Sequence, residues 1–232
     1  MEHLTRKVIV VEKLGYGRRI KMNDLNKIRY FENIPASPSE GMILTRLGYR
    51  KTKTVFSQEY KEKLDKIISE GMLMCNTKGV FGRYGIIEQS EKHIMLENKL
   101  IFESAGLAKL LKNSLEVVLM ASTVGSEITD RIHSEVEGGD ASFGIVLDAV
   151  ASETADAALD WMVDFINRLI RREGKKLTKM RYSPGYGDLL LSNQKKIFDT
   201  LKFDKLGVSI TDRYMLTPEK SVIAIAGIEG IE

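Results

Sequence analysis

A chain of 232 residues that is 43% hydrophobic and 29% charged can bury one large core or two small ones, and a formal net charge of only +3, not gathered into a basic run, leaves no electrostatic footprint for nucleic acid. Its single cysteine, Cys75, rules out an internal disulfide framework, and its three histidines, His3, His93 and His133, stand too far apart for a helical metal pair. With no run near the ~20 apolar residues of a membrane span and no signal-peptide stretch in MEHLTRKVIVVEKLG, the chain is expected to be soluble and cytoplasmic, without membrane or nucleic-acid partners.

Residues 7–11, KVIVV, are short and β-branched and predict a strand. GYG at 15–17 predicts a turn, with a segment around Arg19 to Met22 pairing back across it. SPSE at 37–40 carries a helix start, with Ser37 as cap, Pro38 at the first helical position and Glu40 at capping-box spacing. Met42, Ile43 and Leu47 share a face, and Gly48 ends that helix. A second helix over about 57–70 shows the stripe Tyr60, Leu64, Ile67 and Ile68, with Gly71 as its stop.

The middle of the chain is strand-rich. GVFG leads into YGIIEQ, and HIMLEN and KLIFES follow. Ser104 is placed to cap a short helix through Leu111. LEVVLMAS, residues 115–122, is a nearly continuous apolar run and predicts a strand buried on both faces. Gly125 breaks it, and a polar helix follows to about Glu137. A long helix is then expected from about Ala141 to Arg172, with Asp140 as cap and Gly174 as stop. Phe143, Leu147, Val150, Thr154, Ala157, Trp161, Phe165 and Leu169 fall at helical spacing and predict its buried face. Alanines at 149, 151, 155, 157 and 158 keep its middle thin, which suits tight helix–sheet packing or close approach of a ligand.

RREGKKLTKM, residues 171–180, predicts a polar connector, and the loop RYSPGYGDL follows. Ser192 begins a short helix through about Leu201. GVSITDRYML and KSVIAIAGI flank TPEK and predict a hairpin. Strands and helices come in mixed order rather than regular alternation. The expected architecture is a single α+β domain over residues 1–232, with a twisted, mainly antiparallel sheet and packed helices including one long helix.

Arg181-Tyr182-Ser183-Pro184-Gly185-Tyr186-Gly187-Asp188 is the most unusual segment. Pro184 fixes its own φ and keeps Ser183 out of helical geometry. Gly185 and Gly187 permit positive φ and leave backbone N–H groups uncovered. Arg181 carries a planar fork suited to a carboxylate, and the two tyrosines add flat faces with hydroxyl handles. The residues alone leave two readings: a pocket for a small ligand bearing a carboxylate and an aromatic base, or an ordinary turn into a helix with Arg181 solvated. GYG at 15–17 has no apolar helix after it and is not a phosphate-binding loop of the usual kind.

Arg181-x-x-x-Gly185-Tyr186, with Pro184 before the glycine, resembles the RxxxGY motif of the activation domain of cobalamin-dependent methionine synthase. LGVSITDRYMLTPEKSV (206–222) resembles the segment that follows that motif's helix, Leu147 to Phe165 the long helix before it, and KGVFG (78–82) a strand motif nearer the N-terminus. The order agrees over about 75–225. About 1–70 is a divergent N-terminal part, more like free-standing relatives than the domain fused to the synthase.

The resemblance implies that S-adenosylmethionine binds with its carboxylate on Arg181, with the backbone at Ser183 and Gly185 against it and Tyr186 lining the site. Asp156 falls where the family has a glutamate on the long helix, near the sulfonium. No catalytic side chain and no metal site are implied, because positioning of the methyl group carries the chemistry. The implied function is a reactivation module that supports reductive methylation of an oxidised cobalamin. That cofactor is carried by a separate methionine synthase or other corrinoid protein, and the electron comes from flavodoxin or a similar donor. The family's later tyrosine pair and an N-terminal aspartate have no counterpart here. That keeps an alternative in view: a non-catalytic interaction module that docks on a corrinoid protein without binding S-adenosylmethionine.

Overall fold

The computed structural model describes residues 28–50 and 57–231, so the strand and turn expected over 7–22 lie outside the described residues. The fold is organised by the apolar run at its centre. LEVVLMAS forms β5 (Glu116–Thr123), buried along nearly its whole length and paired antiparallel on both sides. One neighbour is β2 (Lys78–Gln89), the other β9 (Ser221–Gly230). Beyond β2 lie β3 (His93–Leu96) and β4 (Ile101–Glu103), and β1 (Arg29–Phe31) also pairs with β2. Beyond β9 lies β6 (Lys175–Leu177). The seven strands run β4-β3-β2-β5-β9-β6, with β1 alongside β2, and every pairing is antiparallel.

Strand periodicity sorts the side chains between two faces. Val117, Leu119 and Ala121 join Ile223 and Ile225 of β9 in a core covered by α3 (Ala105–Leu110) and α6 (Asn193–Leu201). Val118 and Met120 join Ala224, Ala226 and Ile228 against α5 (Ala141–Ile170) on the other face. A third core forms where α1 (Glu40–Arg46), α2 (Gln58–Met74) and α4 (Ser126–Gly138) pack on the first half of α5. The result is an α+β fold with a long helix on one face of an antiparallel sheet.

Local signals account for most boundaries. The Asp140 carboxylate accepts from the amides of Ser142 and Phe143 at 3.0 and 3.2 Å, capping α5. Ser57 caps α2 and Ser104 caps α3 in the same way. The thin alanine stretch packs tightly on the sheet: Ala151, Ala155 and Ala158 are buried, and Ser122 Oγ of β5 donates to the Ala155 carbonyl at 3.0 Å.

Five expectations need correction. The α1 cap is Ser39 rather than Ser37, and its side chain makes no capping bond. Gly71 does not stop α2; the helix runs on to Met74, and a Cβ at Gly71 would stand 2.9 Å from Leu147 Cδ2 and 3.1 Å from Val150 Cγ1 of α5. The glycine is there for a close helix crossing. On α5, the buried face of the second half is Ala158, Met162, Ile166 and Ile170, while Leu169 is exposed. Helices surround the first half of α5, so a single stripe could not be traced through it. The polar connector contributes β6, which gains its strand character from pairing with β9 rather than from its own composition. Finally, KSVIAIAGI does not form a hairpin with GVSITDRYML. The latter folds on itself as β7 (Ser209–Ile210) and β8 (Leu216–Thr217), and the former enters the main sheet as β9. A strand apolar on both faces belongs inside a sheet covered on both sides. Among the described residues no helix is long and apolar enough to cross a membrane.

Candidate functional site

The loop after β6 continues along the same edge of β9 and then turns into α6. Tyr182 anchors it: its N–H donates to the Ile225 carbonyl at 2.9 Å, and the Ile225 N–H donates back at 2.8 Å. An open cleft of about 1030 Å³ lies between the loop, α5, α3 and the start of β9. Asp156, Leu159, Asp160 and Val163 of α5 form one wall, and Ser221 to Ile223 lie at its end.

Four of the five residues expected at the site, Arg181, Ser183, Tyr186 and Asp156, line this cleft. The Arg181 side chain is 26% exposed, and its Nη1 donates to Asp160 Oδ1 at 2.5 Å. Asp160 is 70% exposed, so the pair sits at the cleft surface rather than in the core. The remaining guanidinium N–H groups have no acceptor among the described residues. Pro184 is buried, which holds the turn in place, and Tyr186 is 72% exposed at the mouth.

Gly185 departs from expectation. Its φ of +93° is the left-handed geometry that glycine allows, but its amide is not uncovered. The Gly185 N–H donates to the Leu189 carbonyl at 2.8 Å, closing the turn on itself, and Gly185 is not among the residues of the cleft wall. The Ser183 N–H has no backbone or side-chain acceptor among the described residues, so Ser183 is the loop amide left available.

Asp156 occupies an electrostatically unbalanced position on α5. Burial, then the neighbouring Glu153 and Asp160 carboxylates, push its carboxyl above the ordinary value, against the pull of Arg46 and Arg181. Arg46 of α1 donates from Nε to Glu153 Oε1 at 2.6 Å and lies 3.5 Å from Asp156. Of these charged groups Asp156, Asp160 and Arg181 line the cleft, and Glu153 and Arg46 do not. Lys109 of α3 and Lys179 of the loop line other parts of the cleft. Among the described residues no cluster of three or more His, Cys, Asp or Glu side chains could hold a metal ion.

Neither family models nor curated proteins match the sequence. A solved structure matches the fold. The fold is similar to that of the MetH reactivation domain in its crystal structure bound to AdoHcy. The TM-score is 0.61, the match covers 87% of this chain and 78% of that one, and the sequences are 13% identical. At that identity the likeness to the MetH reactivation domain is one of fold.

Asp160 was not singled out from the sequence, and the contacts of Asp188 and Tyr182 were not read from it. Asp188 pins the loop to the start of α3: its carboxylate accepts from Ser104 Oγ and the Ala105 amide, each at 2.5 Å, and from the Gly106 amide at 3.2 Å. The Ser104 hydroxyl, then those amides, hold the Asp188 carboxyl below its ordinary value despite some desolvation. Tyr182 was expected to offer a face to a ligand; it borders the cleft, while its ring also packs against the core and its hydroxyl sits against Gly106 and Gly187, where a Cβ would collide with it. Asp160, four residues after Asp156, is the partner of Arg181. The signal for it was that i, i+4 spacing of two acids along the long helix.

Proposed function

We propose that this cleft binds S-adenosylmethionine and that the protein is a reactivation module. In this reading residues 1–232 form one domain like the activation domain of methionine synthase, in a free-standing cytoplasmic form. It supports reductive methylation of an oxidised cobalamin held by a separate methionine synthase or related corrinoid methyltransferase, with a flavodoxin-like or other electron donor. The observation that carries the reading is the coincidence of place: the RxxxGY loop borders an open cleft in a fold similar to one solved with AdoHcy.

The residues fit such a ligand. Arg181 has unsatisfied N–H groups for a carboxylate, Ser183 offers an amide, and Tyr186 a ring for the adenine. Asp156 places a carboxylate next to that of Asp160 on the α5 wall, suited to a sulfonium. Bound S-adenosylmethionine supplies an electrophilic methyl group, and the protein's part is to orient it, as effective molarity requires.

The test is equilibrium binding of S-adenosylmethionine to the isolated chain. It is followed by mixing with a corrinoid methyltransferase in its cobalt(II) form and an electron donor, reading the corrin absorbance. Binding together with return of the methylated spectrum supports the proposal. Docking on the corrinoid protein without either result selects a non-catalytic interaction module instead.

A further inference from the structure

Arg181 and Asp160 form a pair that makes little sense as a structural contact alone. An ion pair so exposed contributes little to stability, yet it stands on the wall of the cleft with capacity left on both partners. Arg181 uses Nη1 only, and Asp160 uses Oδ1 only; among the described residues Asp160 Oδ2 has no hydrogen-bond partner. A free guanidinium edge beside a free carboxylate oxygen is the complement of a zwitterion. An α-amino acid carries a carboxylate, which only accepts, and an ammonium, which only donates, on one carbon. One hydrogen bond holds the two protein groups side by side on the cleft wall.

We infer that Asp160 is a specificity-determining residue that takes the α-ammonium of the ligand whose carboxylate rests on Arg181. The inference rests on the reading of the cleft given above and adds a residue to it. The wall supports it. Asp156 and Asp160 are one helical turn apart, so their Cβ atoms lie about 5–6 Å from each other on one face of α5. They are the two carboxylates that line the cleft. A ligand end with two positive centres matches them: the ammonium goes to Asp160 and the sulfonium to Asp156. Arg181 without Asp160 would accept any carboxylate. The pair together demands an amino acid, and water excluded by the bound ligand strengthens both contacts.

The test uses calorimetry with three probes: S-adenosylhomocysteine, its analogue lacking the α-amino group, and 5′-methylthioadenosine, which lacks the whole headgroup. The wild-type protein is expected to favour S-adenosylhomocysteine over the desamino analogue by about tenfold or more, the effect of one charged hydrogen bond. In Asp160→Asn that ratio falls to about one while methylthioadenosine binding is unchanged, and Asp160→Glu restores part of it. A thermal melt confirms that the variants fold. A ratio that survives Asp160→Asn overturns the inference and leaves the reading of the cleft standing. Tighter binding of S-adenosylhomocysteine by Asp160→Asn also overturns it, since Asp160 would then be a competitor for Arg181. Failure of all three probes on the wild-type protein defeats the reading of the cleft and this inference with it.

Discussion

Arg181→Ala separates a binding residue from a structural one, because the structure gives different magnitudes for the two roles. In the folded chain Arg181 contributes one ion pair, to a carboxylate that is 70% exposed. An exposed pair of this kind contributes about 0–1 kcal/mol. Asp160, left alone, is already hydrated, so no buried charge is stranded. In a chain of this size the loss lowers Tm by at most about 2–4 °C. If the free edge of the guanidinium holds a ligand carboxylate, removing it costs about 1.5–3 kcal/mol of binding. That is a dissociation constant roughly 10- to 150-fold higher. Arg181→Lys keeps the charge but loses the fork, and is expected to fall between. The assay is titration of S-adenosylmethionine by calorimetry, paired with a melt of each variant in the same buffer. Unchanged affinity in Arg181→Ala would refute the assignment. So would a fall in Tm well beyond 4 °C with affinity lost in proportion, since Arg181 would then be holding the fold.

Asp156→Asn is expected to reduce the preference for S-adenosylmethionine over S-adenosylhomocysteine by roughly fivefold, about 1 kcal/mol for a half-exposed charge beside a sulfonium. Competition binding measures the ratio directly. Gly106→Ala places a Cβ against the Tyr182 hydroxyl and 3.0 Å from Asp188 Oδ1. Overpacking there outweighs the gain in helix propensity, for a net loss of roughly 1–2 kcal/mol in denaturant unfolding and faster proteolysis of the 182–188 loop. Stability at acid pH is expected to depend on Glu116. Burial raises its carboxyl, but the hydrogen bonds from Arg83 and Lys175 outweigh that and hold it below the ordinary 4.5. A depressed folded value means stabilisation that is complete above the unfolded value and lost as pH falls through the folded one. Glu116→Gln should therefore flatten the acid limb of the stability curve, and an unchanged limb would refute the assignment.

The elements most legible in the sequence were those whose determinants are local. Ser104 and Asp140 announce α3 and α5 by cap chemistry, the stripe Leu64, Ile67 and Ile68 announces α2, and LEVVLMAS announces a doubly covered strand by its lack of alternation. What misled was meaning supplied from a distance. Gly71 reads as a helix stop until α5 is seen crossing it, and KKL reads as a connector until β9 offers it a partner. The site divides in the same way. Arg181, Ser183 and Tyr186 are neighbours in sequence, and Asp156 was reached through a family resemblance. The Arg181–Asp160 pair spans 21 residues and the Ser104–Asp188 bond spans 84, and nothing local points from one partner to the other.

That division bears on what likeness of fold can and cannot carry. The cleft is a consequence of topology. β9 lies between β5 and β6, so the chain after β6 continues along the edge of β9, and the cleft opens between it and the middle of α5. A fold can be kept while side chains change, which is how a TM-score of 0.61 coexists with 13% identity. The occupant of the cleft is decided by charge, and charge sits on side chains that the topology leaves free to vary. In the proposed reading that charge is carried by Arg181, Asp160 and Asp156. A guanidinium with an open edge beside two carboxylates would favour a zwitterion with an added positive centre over a neutral nucleoside, and the same fold with those three residues made neutral is expected to retain the hollow and lose that preference.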